Sequence, residues 1–264
     1  MPEPLPIYPN ATLHRLRAGQ VALGFGVHHL RTAATPMLAR AAGYDWLFID
    51  TEHGAFSVQE ATQICLAALP LGITPVVRVC ADALDEATRA LDNGAQGIVV
   101  PHVDTPEQAR RLADAFRFPP QGHRSWGGPP YAYGLRAPAT DVAQAEINRE
   151  VLVVAMIETE QAVANADAIA AVEGIDVLLF GTSDLTADMG ISGQIGHPRV
   201  QEAYRKVGEV CTRRGKVLGM GGVYDEPNAR AYMALGARLV LGGNDHQFLL
   251  GAATARADFL RGLA

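Results

Sequence analysis

Three ionisable residues within four positions, Asp50, Glu52 and His53, end the apolar run of "FIDTEHGAF". A carboxylate near an imidazole can form an acid/base pair, because imidazole titrates near neutral pH and an aspartate can fix its orientation. The same residue types also bind metals. Two further charges sit inside apolar runs: Arg78 in "PVVRV" and Glu158 in "VAMIE". Burying either without a partner is costly, so each reads as a group with a chemical task, although a structural ion pair would also satisfy it. Glu158 and Asp184 fall on successive strand ends, and their oxygens can share one cation. Two carboxylates without cysteine favour a hard ion, Mg²⁺ or Mn²⁺. In Gly181-Thr182-Ser183-Asp184 the glycine and short side chains let backbone N–H groups approach an anion such as a substrate carboxylate; a tight turn alone would also use Gly181. His28, His29, His102 and His246 stand alone at strand ends and read as scaffold or surface residues.

These residues need a frame that delivers them to one place. Short apolar runs recur at 21–27, 46–50, 74–79, 97–101, 151–158, 176–181, 217–222 and 239–243. They are continuous rather than alternating, as parallel strands buried on both faces are. Between them lie segments with helical spacing such as "TPEQARRLADAFRF", where Thr105 precedes a first-turn proline, while Gly94 and Gly236 fall where a helix should stop. Strand and helix repeated eight times predict a single-domain (β/α)₈ TIM barrel over residues 1–264, which builds its sites at the C-terminal strand ends. A doubly wound sheet is the alternative, but no GxGxxG follows a strand. The Gly/Pro-rich interval 118–149 is expected as an extended loop over the barrel mouth.

Composition excludes several classes. A net charge of -6 without a basic block argues against nucleic acid, and no apolar run is long enough to cross a membrane. The start "MPEPLPIYPN" lacks the basic-then-apolar order of a signal peptide, so a cytoplasmic location is expected. Cys65, Cys80 and Cys211 form no metal or redox spacing and fit a reduced compartment.

In combination, "AGYDWLFIDTEHG", "PVVRV", "ALDNGAQGIVVPHVDTPEQAR", "PPQGHRSWG", "VAMIETEQAVAN", "GIDVLLFGTSDLTADMG" and "LVLGGND" resemble the class II pyruvate aldolases of the HpcH/HpaI type, over roughly residues 12–260. The resemblance implies a divalent cation (Mg²⁺, Mn²⁺ or Co²⁺) on Glu158 and Asp184, and pyruvate held with help from Gly181, Thr182 and Ser183. It implies Arg78 as the group stabilising an enolate and His53, oriented by Asp50, as the acid/base unit. Glu52 is adjacent, but strand alternation could turn it toward a helix or a subunit neighbour, so it takes a lesser role. The activity implied is reversible cleavage of 4-hydroxy-2-oxo acids to pyruvate and an aldehyde. Relatives are hexamers in which the residue corresponding to Asp92 reaches a neighbour's site, and "FLLGAATARADFL" has a face suited to subunit packing. The chain departs from the family at Gly122–Gly127 and in "GPPYAYG", where Trp126 and Tyr131 are candidates for an aldehyde pocket. A citrate-lyase-like acyl-CoA lyase and a non-catalytic oxo-acid-binding barrel are the competing readings. Schiff-base chemistry would need a lysine, and the chain has only Lys206 and Lys216.

Overall fold

The computed structural model describes residues 3–128 and 130–263. Eight parallel strands, β1 (Ala22–Val27), β2 (Trp46–Asp50), β3 (Thr74–Arg78), β4 (Gly97–Val100), β5 (Leu152–Ile157), β6 (Val177–Gly181), β7 (Val217–Gly221) and β8 (Ala237–Asn244), hydrogen-bond in chain order and close β8 onto β1. The predicted runs agree with these strands to within two residues at each end, and the (β/α)₈ barrel is the observed fold. A short helix, α1 (Ala11–Arg17), precedes β1. The others are α2 (Thr35–Ala41), α3 (Val58–Ala68), α4 (Leu84–Asp92), α5 (Pro106–Phe116), α6 (Thr140–Glu150), α7 (Glu160–Ala170), α8 (Thr182–Asp188), α9 (Pro198–Arg214), α10 (Glu226–Ala234) and α11 (Asp245–Arg261). No described helix is long and apolar enough to cross a membrane.

Local chemistry explains the helix ends. The hydroxyl of Thr105 accepts from the Gln108 N–H and Gln108 returns the bond to the Thr105 amide, a capping box. Gly94 and Gly236 take φ of 101° and 104° beyond α4 and α10, a conformation open to glycine.

Strand alternation divides the core in two. Trp46 and Phe48, Val76, Leu152, Val154 and Met156, and Val177 and Leu179 pack together inside the barrel, whereas Leu47, Ile49, Val77, Val153 and Phe180 pack outward against the helices. Leu13 and Leu16 of α1 join the inner cluster. Asn10, at the start of that helix, donates to the carbonyls of Gln96 and Glu150 just before β4 and β5, so α1 plugs the N-terminal end of the barrel.

The segment expected over the mouth lies at this same base. The Phe118 amide donates to Asn148 Oδ1, Arg117 reaches the Val151 carbonyl just before β5, and the Tyr8 amide bonds the Ala132 carbonyl. Part of the interval is not loop at all, since 140–150 forms α6. The reason is directional: α5 runs back from the mouth, so whatever follows it starts at the N-terminal ends of the strands.

Candidate active site

The inward columns of β2, β3 and β5 continue, two residues beyond their last apolar member, as Asp50, Arg78 and Glu158. That phase carries three charges to the mouth of the barrel. Parallel pairing sets Asp50 directly beside Arg78, and the guanidinium grips the carboxylate with two bonds, Nε to Oδ1 at 3.0 Å and Nη2 to Oδ2. Glu52 does not turn away: it keeps the phase of Asp50, and its Oε2 lies 3.1 Å from Arg78 Nη1. Phe48 packs under the guanidinium, 5.0 Å from its centre. Burial opposes both charges, but the pairing outweighs it, so the Asp50 carboxyl is held below its ordinary range and Arg78 above its own.

Asp50 is therefore occupied by Arg78. Its Oδ1 also accepts the backbone N–H groups of Glu52 and His53, an Asx-type turn that fixes the chain at His53. The His53 ring itself is 65% exposed, with Glu52 Oε2 at 3.8 Å. The expected orientation of this imidazole by Asp50 is thus replaced by a grip on its backbone, because the guanidinium competes better for the carboxylate.

Glu158 is buried, and its Oε2 accepts the His102 amide at 2.9 Å. His102 adopts φ 54° to present that amide, an unusual conformation for a side-chain-bearing residue. On the neighbouring strand β6, a Cβ at Gly181 would lie 2.2 Å from Glu158 Oε1, so glycine leaves room for the carboxylate. Burial, and after it the nearby charge of Asp184, raises the Glu158 carboxyl above its ordinary value, with the His102 amide opposing. Asp184 and Ser183 are exposed at the start of α8. The hydroxyl of Thr182 is committed elsewhere, to the Gly221 carbonyl and Tyr204.

A cavity of about 300 Å³ joins these groups. His28, His53, Arg78, Glu158, the 181–184 turn, Tyr224 and Asn244 line it. Tyr224 was invisible to sequence reasoning, because a lone tyrosine in a loop carries no pattern. Arg78 is the one Lys or Arg among the described lining residues. Lys206 lies on α9 and Lys216 donates to the Ile175 carbonyl before β6, both away from this cavity. Cys80 is exposed and outside it.

Trp126, Tyr131 and Asp92 do not approach the mouth of their own barrel. Trp126 packs edge-on against Phe118 at the base, and Asp92, at the end of α4, accepts from Arg124 at 2.7 Å. Among the described residues no group of three or more His, Cys, Asp and Glu forms a ready metal cage.

The sequence profile of HpcH/HpaI aldolase/citrate lyase matches residues 30–252. The 4-hydroxy-4-methyl-2-oxoglutarate aldolase tasA of Hapsidospora irregularis is 39% identical over 250 residues, 93% of each chain. The hydroxypyruvate/pyruvate aldolase of Cupriavidus necator is 36% identical over 93% of this chain and 90% of its own. Among solved structures, an HpcH/HpaI aldolase from Desulfitobacterium hafniense superposes with a TM-score of 0.86 at 29% identity, over 95% of both chains. With the profile covering most of the barrel and relatives this similar along nearly their whole length, the chain belongs to the HpcH/HpaI aldolase/citrate lyase family.

Proposed function

We propose that this barrel is a divalent-metal-dependent aldolase that reversibly cleaves 4-hydroxy-2-oxo acids to pyruvate, or a close 2-oxo acid, and an aldehyde. The observation that carries the reading is that the carboxylates of Glu158 and Asp184 line one cavity with a buried guanidinium. Arg78 cannot neutralise that pair fully, since Asp50 and Glu52 already hold it. An all-oxygen donor set of this kind fits Mg²⁺, Mn²⁺ or Co²⁺. When bound, the cation supplies Lewis acidity toward the keto oxygen of pyruvate.

The chain's own groups do the rest. Arg78, held rigid by Asp50, meets the charge that develops on the enolate oxygen. Backbone N–H groups from Gly181 to Asp184 receive the carboxylate of the 2-oxo acid. His53, exposed at the cavity rim, exchanges the proton of the methyl carbon with solvent. Aldolase names among relatives agree with this chemistry. An acyl-CoA substrate fits less well, because no cation besides Arg78 lines the described cavity to meet nucleotide phosphates.

The enzyme works in the cytoplasm as a homohexamer in this reading, in which Asp92 of one copy approaches the mouth of another. Exposed Leu249, Leu250 and Phe259 on α11 support subunit packing.

Pyruvate alone in D₂O tests the chemistry without knowledge of the aldehyde. Metal-loaded protein should wash deuterium into the methyl group, dialysis against a chelator should stop it, and Mg²⁺, Mn²⁺ or Co²⁺ should restore it. Methyl protons that stay put from neutral to mildly alkaline pH would sink the enolate reading, and full exchange by chelated protein would sink its metal dependence.

A further inference from the structure

Two turns at the mouth of the barrel are held by residues from farther along the chain. After β1, Asp245 Oδ2 accepts the N–H groups of His28, His29 and Leu30 at 3.1, 2.7 and 2.7 Å, and the His28 ring lies with Nε2 3.4 Å from Asp50 Oδ2. After β6, the 181–184 turn lines the cavity. It is held by a residue outside that lining, Tyr204 of α9, which is fully buried in the outer layer of the core.

The direction of these bonds follows from their chemistry. Thr182 Oγ1 lies 2.6 Å from the Gly221 carbonyl and 2.7 Å from the Tyr204 hydroxyl. A carbonyl only accepts, so the single hydrogen of Thr182 goes to Gly221, and Tyr204 donates to Thr182. Burial pushes the Tyr204 phenol far above its ordinary 10, so it keeps that hydrogen. The relay ties the start of α8 to the end of β7, where the two segments already run close: a Cβ on Gly222, at φ 77°, would lie 3.2 Å from Ser183 Oγ.

Tyr204 is itself fixed by stacking. Its ring lies on Phe180 of β6, centroids 4.0 Å apart, and on Tyr232 of α10, centroids 3.8 Å apart. Tyr232 is equally buried, and its hydroxyl donates to the Ile195 carbonyl in the loop between α8 and α9. The two phenols share one stack but hold different segments: Tyr204 holds the turn at the cavity, and Tyr232 a loop outside its described lining.

We propose that Tyr204 is a positioning residue for the 2-oxo acid: through Thr182 it holds the 181–184 turn in the orientation that presents its backbone N–H groups to the substrate carboxylate. The inference rests on the aldolase reading above. The carboxylate is present in substrate and enolate alike, so a group that orients its receptor lowers KM and leaves kcat alone.

Methyl exchange of pyruvate in D₂O by the intact protein at saturating Mg²⁺ tests this. Tyr204→Phe removes one oxygen and keeps the stack; it should raise KM for pyruvate about 3–10-fold, the worth of one neutral hydrogen bond, with kcat within about twofold. Thr182→Val loses both bonds and should raise KM at least as much, and adding Tyr204→Phe to it should change KM no further, because the two residues act in series. The dissociation constant for pyruvate, from calorimetric titration at the same Mg²⁺ concentration, should rise in step with KM. Tyr232→Phe separates this role from a merely structural one: it too removes a buried hydroxyl from the stack and should lower the urea midpoint comparably, yet leave KM unchanged. A Tyr204→Phe variant with wild-type KM, or a Tyr232→Phe variant whose KM rises as far, would overturn the positioning role while leaving the aldolase reading intact. A fall in kcat alone would overturn it too. A wild type that shows no exchange overturns that reading, and the role of Tyr204 with it.

Discussion

Arg78 at the mouth and Arg117 at the base are both buried, and each pairs with an aspartate, yet their surroundings differ. Arg117 donates to the carbonyls of Asn148, Val151 and Gly174 as well as to Asp176, and Asp176 Oδ2 in turn accepts the Val153 amide. Each of its three nitrogens has a partner. Around Arg78 stand Asp50 and Glu52, with Glu158 and Asp184 across the cavity, so a single guanidinium faces four carboxylates. A buried charge whose neighbours complete its hydrogen bonding stabilises the scaffold. One left with an excess of the opposite sign keeps the site ready for something else.

If that contrast is right, breaking the base should unfold the protein and breaking the mouth should stop the chemistry. Arg117→Ala carries the largest expected effect: it leaves Asp176 and three carbonyls without their donor and should lower the unfolding free energy by about 3–5 kcal/mol in a urea titration. Methyl exchange per folded molecule should be unchanged. An unaltered midpoint would remove the scaffold half of the contrast.

Arg78→Lys should act at the other end. An ammonium cannot span both Asp50 oxygens while facing the enolate, so methyl exchange should slow about 10²-fold or more. A lysine variant within a few-fold of wild type would mean that charge alone, not the guanidinium fork, serves the site.

The smallest effect sharpens the claim of excess negative charge. In metal-free protein, burial and then Asp184 hold the Glu158 carboxyl above its ordinary 4.5. The folded state therefore binds that proton more tightly than the unfolded chain does. Its contribution to stability is greatest at low pH and declines as pH rises from the ordinary value through the raised one. Glu158→Gln should flatten this decline and raise the melting temperature of chelated protein near neutral pH by about 2–4 °C. Mg²⁺ should then stabilise wild type but not the variant. A slope unaltered by the substitution would place the strain elsewhere.

Sequence reasoning reached the barrel and its inward charges because both follow from counting. Parallel buried strands print continuous apolar runs, and a residue two beyond Phe48, Val76 or Met156 must share its face. The same count should have turned Glu52 inward with Asp50. Competition was harder to read: whether Asp50 takes His53, His28 or Arg78 depends on which side chain the register sets beside it, and the register is a property of two strands. The 118–149 interval misled through composition, since Gly/Pro-rich polarity says loop but not which end of the barrel; the direction of α5 says that.

The grip of Asp245 on the amides of His28, His29 and Leu30 spans up to 217 positions of sequence. It ties the mouth to chain completion. At roughly 5–20 residues per second, synthesis delivers Asp245 about 10–40 s after His28, and until then the turn after β1 has no carboxylate to hold its amides. A nascent or prematurely ended chain can pair its early strands and still lack a finished site, so catalytic competence would report that the barrel has closed.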